Sequence, residues 1–151
     1  MGLPQEVRAL FNAGVGSGSI VITQYPTAVA PLVNTTGVVC TADAAGSKYG
    51  AVATIAAAGP AVPFWLAGYS VGVASAADSF IVALTLGAGD TLAIECGIID
   101  ITAVTVNVPP QWFRFPVRSA ASAKIGAKIA NFDAVARTLN VTVLVATGVE
   151  G

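Results

Sequence analysis

From residue 104 onward, apolar side chains recur at every second position, a period that only extended backbone can use. Val104, Val106 and Val108 alternate with Thr105 and Asn107, and Phe113, Phe115 and Val117 alternate with Trp112, Arg114 and Arg118. Ile125, Ala127 and Ile129 stand opposite Lys124 and Lys128. Leu139, Val141, Val143 and Val145 stand opposite Thr138, Asn140 and Thr142. Successive side chains of a strand point to opposite faces, so each run reads as a half-buried antiparallel strand. Phe113 and Phe115, with Phe64, are therefore expected in the core.

Shorter β-type runs fill the first half. Residues 19–23, 37–41, 50–55, 64–74, 79–86 and 91–96 are rich in β-branched or aromatic side chains and bounded by Gly, Pro or Asp. Residues 87–90 (Gly-Ala-Gly-Asp) form a hairpin-type turn between two of them. About nine or ten short strands without a linker predict an all-β protein, a single antiparallel β-sandwich over residues 19–151 that is jelly-roll-like.

Helical signal is confined to residues 1–18. Pro4 suits a first turn, and Leu3, Val7, Leu10 and Phe11 share one helical face before Asn12 and Gly14 end it. So short a helix is not stable alone in water. The stretch reads either as a loose tail or as a helical or extended N-terminal arm that docks on a neighbour through those four side chains.

The surface such a sandwich would show is poor in charge. The 151 residues include seven Lys or Arg and eight Asp or Glu, 10% charged against about 25% in an ordinary soluble domain. A compact monomer of this size exposes roughly 7,000 Å². No charge occurs between Arg8 and Asp43, or between Lys48 and Asp78. Something must cover much of that surface. Residues 49–77 are long enough to span a bilayer, yet Gly59, Pro60 and Pro63 interrupt them and their halves read as strands. Protein, repeated in an assembly, is the expected cover, with no membrane partner. A net charge of -1 and the lack of a basic patch speak against nucleic acid. The N-terminus shows no charged start and apolar stretch of a signal peptide, so synthesis in a cytoplasm is expected.

Catalytic and metal chemistry find little to use. The chain has no His, which removes the usual general base and zinc ligand. Asp78, Asp90 and Asp133 sit in turn-like stretches where Asp caps its own backbone, and Glu95 alternates outward. No short segment supplies the oxygen ligands of a calcium loop. No cofactor, metal site or enzymatic activity is expected. The Gly14–Gly18 stretch precedes a strand, whereas a phosphate loop follows one. Cys40 and Cys96 could pair, but their apolar settings favour two buried free thiols. Trp65 and Trp112 fall opposite their Phe neighbours, so at least one should lie outside as an interface anchor, with Arg114 and Arg118 beside Trp112.

The C-terminal third resembles small β-sandwich virion proteins of tailed bacteriophages, including capsid decoration (cement) proteins. The resemblance rests on Phe115-Pro116-Val117-Arg118, then Lys124-Ile125-Gly126-Ala127-Lys128-Ile129, and the closing Arg137-Thr138-Leu139-Asn140-Val141-Thr142-Val143. Pro63-Phe64-Trp65-Leu66 is similar as well. It implies a jelly-roll-like subunit of a virus particle, a homo-oligomer with a trimer favoured, bound to the major capsid protein or other virion proteins. Two other readings use the same residues. One is an extracellular β-filament polymerising by strand exchange; the other is a neck, tail, receptor- or glycan-binding module acting through Trp65 or Trp112.

Overall fold

A computed structural model of the chain describes residues 20–27, 37–104 and 108–148. Those residues form nine strands and no helix: β1 (Val21–Tyr25), β2 (Val38–Thr41), β3 (Ala53–Ala56), β4 (Phe64–Ala74), β5 (Asp78–Leu86), β6 (Thr91–Ile101), β7 (Gln111–Ser119), β8 (Ile125–Asn131) and β9 (Thr138–Thr147). One sheet has the order β1-β9-β4-β7, with β2 also on β9; the other runs β3-β8-β5-β6. β1 pairs with residues 143–147 of β9, and β2 with residues 138–141, both antiparallel. The two are therefore one edge strand in two pieces.

Counted that way, the chain has two four-stranded sheets. It changes sheet at every connection except the β5–β6 hairpin. This is the strand order of a jelly roll, two Greek keys laid face to face. The all-β sandwich expected from the alternation is what the chain forms.

Both sheets close on one core. Phe64, Leu66, Leu139, Val141, Val143 and Val145 come from the first sheet, and Phe80, Val82, Leu84, Ile125 and Ile129 from the second, all with no exposed surface. The β8 and β9 inner rows are those read from the sequence. On β4 the inner row changes parity, from Phe64 and Leu66 to Tyr69 and Val71 and then Ala74. Its pairing with β9 breaks between Leu66 and Gly68 and again between Val71 and Ala74, and each extra residue turns the next side chain over.

Part of the outward face of the second sheet, over β5 and β8, is covered by the chain itself. Ala83 and Thr85 are fully covered on it. Lys128 Nζ lies 4.9 Å over the Tyr49 ring, and an added Cβ on Gly126 would meet Val52 Cγ1 at 2.7 Å. Residues 49–52 thus pack over positions where an isolated sheet would usually carry charge.

A polar cluster ties three strand ends together. The Asp78 carboxylate accepts from the Ser79 N–H (2.7 Å) and Asn131 Nδ2 (2.9 Å), and Arg137 Nε lies 3.8 Å away. Arg137 also pairs with Asp133 at 3.2 Å. Asp78 opens β5 instead of lying in a turn, because this cluster holds it there. Asp78→Ala removes the acceptor from two partly buried donors and is expected to lower stability by about 2–3 kcal/mol. Urea unfolding measures it; an unchanged midpoint would show that the cluster contributes nothing.

Other readings are corrected. β6 runs on to Ile101, past the expected end at Cys96, through two register breaks against β5 that hide its alternation. Val104 lies in a bend and Val108 outside any strand, so these two do not belong to the strand read there; residues 105–107 lie outside the described residues. Cys40 is buried and Cys96 half-buried, both as free thiols.

Candidate interaction surface

The residues chosen from sequence fall into two groups. Leu3, Val7, Leu10, Phe11 and the arm that holds them lie outside the described residues. Trp65, Trp112, Arg114 and Arg118 come together on β4 and the sheet-edge strand β7. The register sets Trp65 beside Arg118 and Gly68 beside Trp112. Phe64 and Phe113 point into the core, so both Trp side chains lie on the outward face, each half-buried. Trp65 is also paired with Ala146 of β9, which has no exposed surface. Arg114 and Arg118 are exposed.

Phe115 is the correction that matters most. The alternation puts it in the core, yet it is 72% exposed. Between the pairs Leu66–Val117 and Gly68–Trp112, one residue of β4 stands opposite four of β7. Phe113, at the start of this bulge, remains in the core and stacks on Tyr69 with ring centroids 5.8 Å apart. Phe115 is pushed out, with the Arg114 guanidinium 5.5 Å over its ring. Pro116 lacks an N–H and cannot continue a ladder, which was the one local sign that this run would bulge.

The neighbouring edge strand adds side chains that the sequence reading missed. β6 exposes Ile98 (62%) and Leu92 (52%). β6 and β7 are edge strands of opposite sheets on the same flank, for the Tyr69 hydroxyl of β4 and the Cys96 thiol of β6 interact. The core is thinly covered here. Ala93, Cys96, Ile99, Val108 and Val117 pack against it but keep partial exposure, whereas Phe80, Val82 and Leu84 one strand further in keep none.

Burial sets the acid–base behaviour. It pushes the Cys40 and Cys96 thiols up to about 12, Glu95 adding to the effect at Cys96. It also raises the Tyr69 and Tyr49 hydroxyls, with Cys96 and Glu95 respectively as the next causes. All four groups are neutral in the folded state at pH 8. In the unfolded chain they lose protons near their ordinary values of about 8.5 to 10. The unfolded state then binds fewer protons, so stability is full below about pH 8 and declines as pH rises toward the raised folded values. The urea midpoint is expected to be lower at pH 10.5 than at pH 8; equal midpoints would mean these groups are not buried.

Among the described residues no three His, Cys, Asp or Glu side chains gather to hold a metal ion, and no helix is long and apolar enough to cross a membrane. What the flank offers is apolar contact with both acidic and basic side chains beside it.

Comparison with known proteins adds little to this geometry. No protein-family model matches the chain, and no curated protein does. One solved structure, titled "Structure of infectious bursal disease virus Gx strain", is similar to it at 11% identity and a TM-score of 0.36, over 87% of this chain. The match spans about a third (34%) of that protein's chain. A likeness this distant carries no argument about what the chain does.

Proposed function

We propose that the chain is a structural virion protein, a capsid decoration or cement subunit that stabilises a phage head through apolar protein–protein contacts. The observation that carries this reading is the exposure of large apolar side chains on a jelly roll with few charges, led by Phe115 at 72% and Ile98 at 62%. Exposed apolar side chains gathered on one flank, rather than scattered singly, are the kind of patch that marks an interaction site. The sequence resemblance to phage decoration proteins supplies the kind of partner, a lattice of coat proteins. Each contact of standard size, roughly 1,600 Å² in total, would be multiplied by the symmetry of the shell.

The test is addition of purified protein to undecorated heads. Co-sedimentation with the heads and a higher temperature of shell rupture are expected. Phe115→Ser is expected to alter folding stability by under ~0.5 kcal/mol, because the ring is exposed, and to weaken shell binding at least tenfold. Wild-type protein that neither sediments with heads nor protects them would end this proposal.

A further inference from the structure

Two rows of the first sheet are dry although they face away from the core. The register sets Ile22, Ala146 and Trp65 side by side across β1, β9 and β4. In the next row Gln24 and Leu144 stand beside Gly68, with Trp112 beyond it. Val143 and Val145 of β9 point into the core, so Leu144 and Ala146 point outward. Yet Ala146 has no exposed surface and Leu144 keeps 3%. Gln24 Nε2 is shut off from solvent as well, with no hydrogen-bond partner among the described residues. Val39 of β2, outward on the same sheet, is 56% exposed.

Strand side chains stand roughly perpendicular to the sheet, so neighbours in a row cover one another's flanks and leave the tips wet. Leu144 has a glycine on one side and Gln24 on the other, and its tip stays dry when something lies on top. Trp65 and Trp112 border the patch and are themselves half-buried. The connections among the described residues are tied elsewhere. Residues 42–50 are hydrogen-bonded to residues 129–137, residues 59–60 to residues 122–123, and Val104 to Ala74. Val108 accepts from Ser70 Oγ at 3.4 Å, one row further along. The burial also holds within a single chain. The cover therefore has to come from a part of this same chain outside the described residues.

We infer that this face, around Leu144, Trp65 and Trp112, is the docking site of the chain's own N-terminal arm, residues 1–19, seated through Leu3, Val7, Leu10 and Phe11. The inference does not depend on the virion role. Val21, the first residue of β1, pairs with Thr147, so the arm joins the sheet at the Ala146 end of the patch. Residues 12–19 reach roughly 26 Å when extended, enough to double back over the face. Gly14, Gly16 and Gly18 permit the reversal. A helix over residues 3–11 is about 14 Å long. Four paired strands, from β1 to β7, are also about 14 Å across. The apolar stripe of the arm thus matches the patch in width and character. A carbonyl of the arm would give Gln24 Nε2 the acceptor it lacks.

Residues 28–36 are the rival cover. The chain leaves β1 at Tyr25, beside Val143, and resumes at Val38, beside Val141. Both points lie further from Ala146 than Val21 does, so the arm is the better placed of the two. With the arm seated, the two indole rings form its cradle, and the surface left to a partner is the β6–β7 flank.

Trp65 and Trp112 are the two tryptophans of the chain, so indole emission and its quenching by acrylamide report on this face alone. Full-length L10D/F11D is compared with wild-type and with V29D/L32D, and far-UV circular dichroism shows that each variant folds. L10D/F11D is expected to shift the emission to the red and to raise the quenching constant about twofold, as half-buried rings become open. V29D/L32D is expected to match wild-type. Separately, a benzophenone amino acid in place of Phe11 is photolysed in the otherwise wild-type chain. A cross-link at the mass of one chain, mapped to a peptide of β4 or β9, is expected. If L10D/F11D does not fold, the cross-link decides alone. A folded L10D/F11D with wild-type quenching would overturn the inference, as would V29D/L32D opening the rings in its place. A cross-link at the mass of two chains would overturn it too, by assigning the face to a neighbour's arm.

Discussion

Phe80→Ala is expected to lower the unfolding free energy by about 3–5 kcal/mol, the range for truncating a fully buried aromatic side chain. Phe80 has no exposed surface and sits on β5, hydrogen-bonded on both sides by β6 and β8. Backbone fixed on two sides cannot collapse into the space the ring leaves, so the cavity persists. Domains of this kind are stable by about 5–15 kcal/mol, and the variant would keep a fraction of that. Urea unfolding followed by Trp fluorescence gives the value. A loss below about 1 kcal/mol would mean that the two sheets are not packed face to face at this point.

Gly68→Ala should cost about 3 kcal/mol or more although it adds a single methyl group. Its Cβ would stand 2.4 Å from the Gln111 carbonyl oxygen and 3.3 Å from Trp112 Cα. Both are backbone atoms of β7, so no side chain can swing aside and the two strands must separate. Overpacking of this kind costs typically 1–3 kcal/mol, occasionally more, and a backbone obstacle puts it at the upper end. The strain falls where β7 starts its bulge, so Trp112 emission should shift as well. Gly97→Ala is the control: nothing lies within 4 Å of its added Cβ, and a change under ~0.5 kcal/mol is expected. If both substitutions cost the same, the close approach of β4 and β7 is wrong.

The strands of the second half were legible because their pattern is local. In β8 and β9 the inner rows Ile125, Ala127, Ile129 and Leu139 to Val145 follow strict alternation, and each inward residue is buried. The hairpin at residues 87–90 was legible from its glycines, and Gly87 does adopt a positive φ of 77°. β6 and β7 were misread for a single reason. Alternation holds only while a strand keeps its register, and both lose theirs, β6 against its hairpin neighbour β5 and β7 against the distant β4. Phe115 therefore appeared as core, and the exposed Ile98 went unnoticed. Of the site, Trp65, Trp112, Arg114 and Arg118 were legible as outward residues of strands, as was Glu95, while the placement of β6 and β7 on one flank was not.

Residue order alone determined that this chain is β-structured, that its apolar rows must face each other, and that its surface is short of charge. These follow from side-chain period and composition, which need no knowledge of neighbours. Which edges remain open, where strands bulge, and which charges come to lie on one flank were decided by cross-strand pairing. Register is a property of two strands, and in a jelly roll most strands pair with partners far along the chain.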